Sequence, residues 1–199
     1  MSAPPTAVLL DLDGVIRHFD PDLPTALEAA NGLEPGALMA AAFEPDRIGR
    51  LTTGKISRAE WQTEIGQAVG KPAAAVEWLA DTGRIDQELI DVVDQLRAAG
   101  VQVAVLTNGT DTILAELTAH GIADRFDGVF STADIGFAKP DPRAFRFVCS
   151  EMDWDPATVF FTDDSPSKLT GATDISMTAR PFRDVNGLRA DLAELGVLI

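Results

Sequence analysis

The amino-acid sequence predicts an α/β fold: a parallel β-sheet with helices on both faces and a small helical unit inserted after the first strand. Two observations lead to this prediction. Four short apolar runs have the length of buried strands, and segments with helical periodicity separate the last three of them. Between Gly14 and Gly100, by contrast, the amphipathic segments are all helical. We therefore expect one sheet, interrupted in sequence by a helical insertion.

The predicted elements of the sheet domain follow from these runs. The strands are expected at residues 7–10, 101–106, 128–130 and 158–161. Helices are expected at residues 111–120 and 142–152, and again after Pro166. Because ligands of parallel sheets bind beyond the carboxyl ends of the strands, we expect the functional site at that edge.

The helical insertion is expected to form a separate cap. Its predicted helices span residues 24–31, 35–43, 57–69 and 73–79. A further helix, residues 87–99, ends at Gly100 and leads directly into the second strand, so we assign it to the core. The predicted core therefore comprises residues 1–14 and 86–199, and the predicted cap comprises residues 15–85. Because this insertion begins just after the first strand, it is expected to cover the carboxyl ends of the sheet strands as a lid.

Composition limits the classes of partner. The chain has 199 residues and a formal net charge of −15 at pH 7. Nucleic acid and anionic membranes require a basic protein surface, so we expect neither as a partner. No apolar stretch reaches the ~20 residues of a membrane span, and the N-terminus does not resemble a signal peptide. One cysteine, Cys149, excludes an intramolecular disulfide and fits a reducing compartment, so a cytoplasmic location is expected.

The stretch VLLDLDGVIRH places two carboxylates at the end of the first predicted strand. Side chains alternate along a strand, so Asp11 and Asp13 point the same way while Leu12 points toward the core. Two like charges this close repel each other unless a cation or a shared proton intervenes. A strand end followed by a solvent-exposed Asp-Gly turn is an equally good interpretation of this motif alone.

The other strand ends also carry polar groups. The second strand ends in VLTNG, with Thr107 and Asn108, and the third leads to Lys139, which is extended because a proline follows it. Taken singly, these features are also typical of a helix cap and of a solvated lysine. The fourth strand ends in FFTDDS, which contains Asp163 and Asp164. A second acidic pair at a strand end favours one common site.

Together, the four strand ends supply an anion-binding set around an oxygen-ligand metal site. Mg²⁺ prefers a few carboxylates together with waters and substrate phosphate oxygens. One carboxylate can attack phosphorus to form an aspartyl-phosphate, while a second acid protonates the leaving alkoxide and then activates water. These residue types are therefore compatible with phosphoryl transfer at a Mg²⁺ site.

These motifs resemble the four motifs of the haloacid dehalogenase-like hydrolase superfamily. DLDGV resembles the first, LTNG the second, the KPDP context of Lys139 the third and FTDDS the fourth, in the right order over most of the chain. The resemblance implies a Rossmann-like core and the small helical cap of one large branch of that family. Dehalogenases of the superfamily lack an aspartate at the position of Asp13 and work without metal. The resemblance therefore implies a phosphatase.

The resemblance also implies a role for each motif residue. Asp11 is the expected nucleophile, and Asp13 is the expected general acid and base. The residues expected to bind the substrate's phosphate group are Thr107, Asn108 and Lys139. The expected ligands of Mg²⁺ are Asp11, the backbone carbonyl of Asp13, and Asp164, with Asp163 either a ligand itself or directly behind one.

Two residues depart from the family pattern. Lys168 lies four residues after the metal-binding aspartate Asp164, where the family usually has Asn or Asp. An inward-pointing ammonium there would pair with the acidic residues and compete with the metal. Ser176 stands where the family commonly has glycine, before the last strand, so we expect an irregular backbone in that segment.

The substrate is expected to be a small phosphorylated metabolite. The stretch LTTGKISRAEW resembles family members that act on sugar phosphates. Cations beside the first motif or between cap helices are candidates for substrate contact, with surface placement as the alternative: Arg17, His18, Arg47 and Arg50. A phosphomutase using the same intermediate, or a non-catalytic member that binds a phosphorylated ligand or a protein, remains open. A monomer and a homodimer are both compatible with the sequence.

Overall fold

The computed structural model describes residues 4–199 and confirms the predicted α/β fold. Its strands are β1 Ala7–Leu10, β2 Arg17–His18, β3 Arg84–Ile85, β4 Gln102–Thr107, β5 Gly128–Ser131, β6 Val159–Asp163 and β7 Thr178–Pro181. Five of them form a parallel sheet in the order β5-β4-β1-β6-β7. The remaining two, β2 and β3, pair in an antiparallel ribbon.

The four predicted strands are confirmed to within one or two residues at their ends, and β1 is confirmed in full. Strand β7 lies after Ser176, where a last strand was expected without defined bounds. It forms the edge of the sheet, and its TARP sequence is only partly buried, so it has no apolar run that would have given those bounds. The expectation that no strand lies between Gly14 and Gly100 is wrong, because β2 and β3 pair there. A two-residue strand is too short to produce a recognisable sequence period.

The helices are α1 Leu23–Asn31, α2 Ala37–Ala42, α3 Pro45–Thr52, α4 Arg58–Ala68, α5 Pro72–Trp78, α6 Gln87–Ala98, α7 Ile113–Ala119, α8 Thr132–Ile135, α9 Pro142–Met152, α10 Thr170–Thr173 and α11 Val185–Glu194. Helix α9 has the predicted bounds, whereas α3, α8 and α11 were not predicted. Helix α3 has few apolar residues, and its start is instead defined by Pro45 and by Glu44, whose side chain accepts hydrogen bonds from two backbone N–H groups. Among residues 4–199, no helix is both long and apolar enough to cross a membrane.

The sheet is buried on both faces, which explains why its central strands are apolar without alternation. Val8 and Leu10 of β1 pack with apolar residues of α6, α7 and α11 on one face. Ala7 and Leu9 pack with residues of α9 and α10 on the other face. The carboxyl ends of β1, β4 and β6 therefore meet at the centre of one edge of the sheet.

Helices α1–α5, called the cap helices below, have a small apolar core of their own. Its fully or largely buried members include Leu38, Trp61 and Ile65. The chain enters this helical segment through β2 and leaves it through β3, so the two crossings lie side by side. The division of the chain at residues 14/15 and 85/86 stays a prediction.

Candidate active site

Three strand ends bring the site residues together. Asp11 directly follows β1, Thr107 ends β4 and Asp163 ends β6, and all three are buried. Because β1 lies between β4 and β6 in the sheet, Asp11 occupies the central position. The sequence predicted this edge for the site, and the fold places these residues there.

A buried lysine links two of the carboxylates. Lys139 Nζ donates to Asp11 Oδ1 and to Asp163 Oδ2, at 2.7 Å in each case. The Lys139 side chain is only 1 % exposed. A buried ammonium that is paired with two buried carboxylates satisfies groups that would otherwise be very unfavourable in the interior. The cluster is thus an electrostatic unit with one net negative charge when both acids are ionised.

Burial dominates the ionisation of Asp11. The loss of water around this carboxyl raises its pKa to about 6, and the negative charge of Asp163 contributes in the same direction. The ammonium of Lys139 opposes this rise by its charge and its hydrogen bond, as does the backbone N–H of Leu12. Asp11 is therefore mostly ionised at pH 7 and mostly protonated at pH 5.

Asn108 positions Lys139 through the backbone. Its side-chain Nδ2 donates to the carbonyl oxygen of Lys139 at 2.9 Å, and its Oδ1 accepts from the Lys139 N–H at 2.8 Å. Both polar ends of the amide are thereby engaged with one residue. The structure assigns the Asn108 side chain this orienting contact, and its contact with a phosphate group stays a prediction.

The second carboxylate of the first motif faces a different partner. Arg17 Nε and Nη2 donate to Asp13 Oδ1 and Oδ2 at 2.6 and 3.2 Å. Arg17 Nη1 also donates to Glu116 Oε2 at 2.6 Å. Burial acts to lower the pKa of Arg17, but the bonds and charges of the two carboxylates outweigh it and raise that pKa. A permanently charged, 3 % exposed Arg17 therefore fixes the orientation of Asp13, whose side chain is 41 % exposed.

The acidic residues at the strand ends are close enough to share a cation. Asp11, Asp163 and Asp164 each offer a carboxylate oxygen, and these three oxygens lie within 4.8 Å of one another. Asp164 is exposed, whereas the other two are buried. Both oxygens of Asp163 already accept hydrogen bonds, from Lys139 Nζ and from the Ser165 N–H. The set of oxygen donors matches the preference of Mg²⁺, with Asp11 and Asp164 the less encumbered members.

The turn after Asp13 approaches this cluster without room for a side chain. Gly14 has φ 91°, and a Cβ atom placed on it would lie 2.2 Å from Oδ2 of Asp164. A glycine is required for both reasons. The first and fourth motifs are therefore in direct contact across this residue.

The two departures from the family pattern are both visible. Lys168 Nζ lies 3.4 Å from the carbonyl oxygen of Lys139, and it forms no ion pair with the acidic residues within the described range. Ser176 adopts φ 73°, the left-handed region that favours glycine. The backbone thus keeps the conformation that a glycine would adopt, at some cost in strain.

A cavity of about 470 Å³ opens beside the loops that follow β1 and β4. Its polar floor includes Asp13, Arg17 and Asn108, and its walls come largely from apolar residues of the cap helices. The sequence did not identify Arg58 and Glu116, which also line it, because the orientation of a side chain on an amphipathic helix depends on packing between helices. Arg58 lies within the LTTGKISRAEW stretch, which was the available signal.

Three of the four cations predicted to contact substrate lie elsewhere. Among the described residues, the cavity lining includes Arg17 but not His18, Arg47 or Arg50. Arg47 and Arg50 both pair with Glu64, at 3.2 and 2.6 Å. The nearest acidic partner of His18 is Asp86, 3.7 Å from Nε2. For these three residues a role in substrate binding stays a prediction.

Comparison with known proteins identifies relatives over nearly the whole chain. A family model described as haloacid dehalogenase-like hydrolase matches residues 5–175. The sesquiterpene phosphatase astK of Aspergillus oryzae is 24% identical over 194 residues, which is 95% of each protein. The D-ribitol-5-phosphate phosphatase of Bacteroides thetaiotaomicron is 24% identical over 174 residues, which is 81% of this chain and 84% of that protein.

Other relatives are matched over shorter segments. The (S)-2-haloacid dehalogenase 4A of Burkholderia cepacia is 35% identical over 83 residues, which is 41% of this chain and 36% of that protein.

Among solved structures, a HAD family enzyme, bt-2542 of Bacteroides thetaiotaomicron, in complex with magnesium and inorganic phosphate, superimposes with a TM-score of 0.77. The alignment covers 94% of this chain and 99% of that one at 21% identity, so it supports the fold alone.

Proposed function

The chain belongs to the haloacid dehalogenase-like hydrolase family, and from this premise we propose that it is a Mg²⁺-dependent phosphatase acting on a small phosphomonoester. The observation that carries the proposal is the Asp11–Lys139–Asp163 cluster beside Asp13. It combines a buried carboxylate that is ionised at neutral pH with a fixed ammonium and a second, accessible carboxylate two residues away. Such a pair has the two groups that phosphoryl transfer through an enzyme carboxylate requires.

In the first half of the proposed reaction, Asp11 is the nucleophile. One of its oxygens forms a bond to phosphorus while the bond between phosphorus and the ester oxygen breaks, which gives an aspartyl-phosphate. Asp13 enters this step as the carboxylic acid and passes its proton to the departing ester oxygen, so the alcohol leaves neutral and Asp13 is left ionised. Arg17 holds the Asp13 carboxyl group in one orientation during this transfer, since it donates to both of its oxygens.

In the second half, water replaces the enzyme carboxylate. Asp13, now ionised, accepts a proton from the water as its oxygen attacks phosphorus, and Asp11 is released together with inorganic phosphate. Lys139 contacts Asp11 throughout and offsets negative charge on the reacting group. Thr107 lies at the adjacent strand end, where its hydroxyl group supports binding of the phosphate oxygens.

The residues present fit a Mg²⁺ ion at the edge of the site. Asp11, the backbone carbonyl of Asp13, and Asp164 would hold it, with Asp163 behind them because both of its oxygens are engaged. When bound, the ion offsets the charges of the carboxylate and the phosphate, so that one anion can approach another. Lys168 leaves this site free in its present position on the Lys139 carbonyl.

The proposal is tested by phosphate release from a panel of phosphomonoesters, measured with Mg²⁺ and in parallel with a chelator. We expect release only with Mg²⁺ from the wild type, and none from Asp11→Asn. The Asp174→Asn variant removes the same charge from an exposed residue outside the four motifs and is expected to retain activity. Release that persists in the chelator, or in Asp11→Asn, would refute the proposal.

The same assay separates the proposal from its alternatives. A phosphomutase would retain a stable phospho-enzyme and release little phosphate, and a non-catalytic relative would bind ligand without any release. The names of the relatives indicate two substrate classes, a sesquiterpene phosphate and a polyol phosphate. Because both are small phosphorylated metabolites, we propose that this protein also acts on a small phosphorylated metabolite. We propose no nucleic acid or membrane as a partner.

A further inference from the structure

We propose that the substrate is a phosphomonoester whose organic group is apolar, and that this group occupies the cavity between the cap helices and the loops that follow β1 and β4. The inference rests on the proposed phosphatase function and narrows its substrate class. It is carried by three features of the cavity: its apolar walls, the internal pairing of its polar groups, and its position beside Asp13.

The walls of the cavity are mainly apolar and contain four aromatic side chains. They include Phe19, Met39, Phe43, Trp61, Trp78 and Ile113. The volume of about 470 Å³ lies within the range of sites that enclose small organic ligands, which are lined mainly by hydrophobic and aromatic side chains. A cavity of this size holds an organic group of roughly ten or more non-hydrogen atoms, taking ~30 Å³ as the share of one water molecule.

Several wall residues are exposed to solvent although they are large and apolar. Phe43 is 53 % exposed, Phe19 is 45 % exposed and Met39 is 44 % exposed. Clustered exposure of this kind is characteristic of binding sites, because it leaves apolar surface in contact with water until a ligand covers it. An apolar organic group would remove these three side chains from water together.

The charged groups of the cavity already have partners within the protein. Arg58 contacts the carbonyl oxygen of Leu79 and pairs with Glu116 at 3.4 Å. The Glu28 carboxylate accepts from two backbone N–H groups at 2.7 and 2.8 Å. Asp81 likewise accepts from the backbone N–H of Gly83 at 2.9 Å. Specific binding of a polyol requires hydrogen-bonding groups that the substrate's hydroxyl groups can use, and the internal pairing removes much of that capacity.

The polar end of the cavity gives the organic group its orientation. Asp13 and Asn108 belong to the first and second motifs, and both line the cavity. An ester oxygen held near Asp13 directs the phosphate group toward Asp11 and the organic group toward the cap helices. The geometry thus separates a reacting end from an apolar end.

The first test compares substrates with equal numbers of carbon atoms. We expect kcat/KM with Mg²⁺ to be at least tenfold higher for pentyl phosphate than for a five-carbon polyol phosphate. In the series from ethyl to octyl phosphate, kcat/KM should rise by about fourfold per added methylene until the cavity is filled. Equal or higher kcat/KM for the polyol phosphate, or no dependence on chain length, would overturn the inference.

The second test changes the wall while leaving the catalytic residues intact. Phe43→Ser is expected to lower kcat/KM for octyl phosphate about tenfold and to leave ethyl phosphate within twofold, whereas Phe43→Leu retains most of the activity. Val76→Ser is the matched control, because Val76, in α5, is an apolar residue with the same 53 % exposure as Phe43 but does not line the cavity. Equal losses for both substrates in Phe43→Ser would contradict a role in binding the organic group.

A binding measurement distinguishes failure of this inference from failure of the proposed function. Two of the three tryptophans, Trp61 and Trp78, line the cavity, so their fluorescence reports its occupation. Octylphosphonic acid, whose phosphorus–carbon bond is not hydrolysed, is expected to bind at least a hundredfold more tightly than ethylphosphonic acid. Tight binding without phosphate release from any ester would refute the phosphatase and uphold the apolar site. Phosphate release with a preference for polyol phosphates would uphold the phosphatase and refute the apolar site.

Discussion

The substitution Asp11→Asn is expected to stabilise the protein while it abolishes activity, and the gain should depend on pH. The folded state raises the pKa of Asp11 from 3.8 to about 6, mainly by burial. Between these two values the unfolded chain has lost the proton and the folded protein has kept it. The free energy of unfolding contributed by this group is therefore fully present below pH 3.8 and is lost as the pH rises to about 6.

The size of the effect follows from the pKa difference. At about 1.36 kcal/mol per pKa unit, raising the pKa of Asp11 from 3.8 to about 6 lowers the free energy of unfolding by about 3 kcal/mol above pH 6. About half of that loss is already present at pH 5. Asparagine does not ionise, so Asp11→Asn should gain the other half, about 1–2 kcal/mol, over the wild type between pH 5 and pH 7.5.

Urea unfolding at pH 5 and pH 7.5, with a chelator present, measures this difference. Asp174→Asn serves as the control for the change in net charge, and its difference from the wild type is subtracted at each pH. If the advantage of Asp11→Asn over the wild type were the same at both pH values, or larger at pH 5, the conclusion that burial raises the pKa of Asp11 would be refuted. A gain in stability with a loss of function is typical of active-site residues.

Three further substitutions test the ion-pair cluster, the Gly14 turn and the Ser176 backbone. Lys139→Met leaves two buried carboxylates without their ammonium. Urea unfolding should therefore show a free energy of unfolding lower by about 3–5 kcal/mol, and kcat should fall by at least about a hundredfold. Unchanged values of both would contradict the ion-pair cluster. Gly14→Ala brings a Cβ atom against Asp164, so calorimetric titration should show weaker Mg²⁺ binding; affinity equal to the wild type would disprove the contact. Ser176→Gly relieves a left-handed serine and should raise the free energy of unfolding by about 0.5–1 kcal/mol, and a decrease would show that no strain is present there.

The central part of the fold was predictable because its signals are local. Strands β1, β4 and β6 are buried on both faces, so each is a continuous apolar run followed at once by polar motif residues. The expected helix at residues 142–152 has the same bounds in the structure. Asp11 and Asp163 could be placed at one edge because parallel strands bring their carboxyl ends together.

The remaining features depend on contacts between distant segments. Strand β7 is only partly buried because it lies at the sheet edge, and α3 has few apolar residues, so its start is marked by its cap. The sequence cannot show that Asn108 clamps the Lys139 backbone, since 31 residues separate them. Nor can it distinguish Arg58, which faces the cavity, from Arg47, because the direction of a helical side chain is determined by packing among the cap helices.

The most direct test of the account is to locate the phosphoryl group during turnover. The wild-type protein is mixed with an aryl phosphate and Mg²⁺, quenched in acid within one turnover, digested, and analysed by mass spectrometry. The account predicts a phosphoryl group on the peptide that contains Asp11, at that residue, and none in Asp11→Asn. Phosphate release by the wild type with no phosphoryl group on Asp11, or with one on another residue, would contradict it.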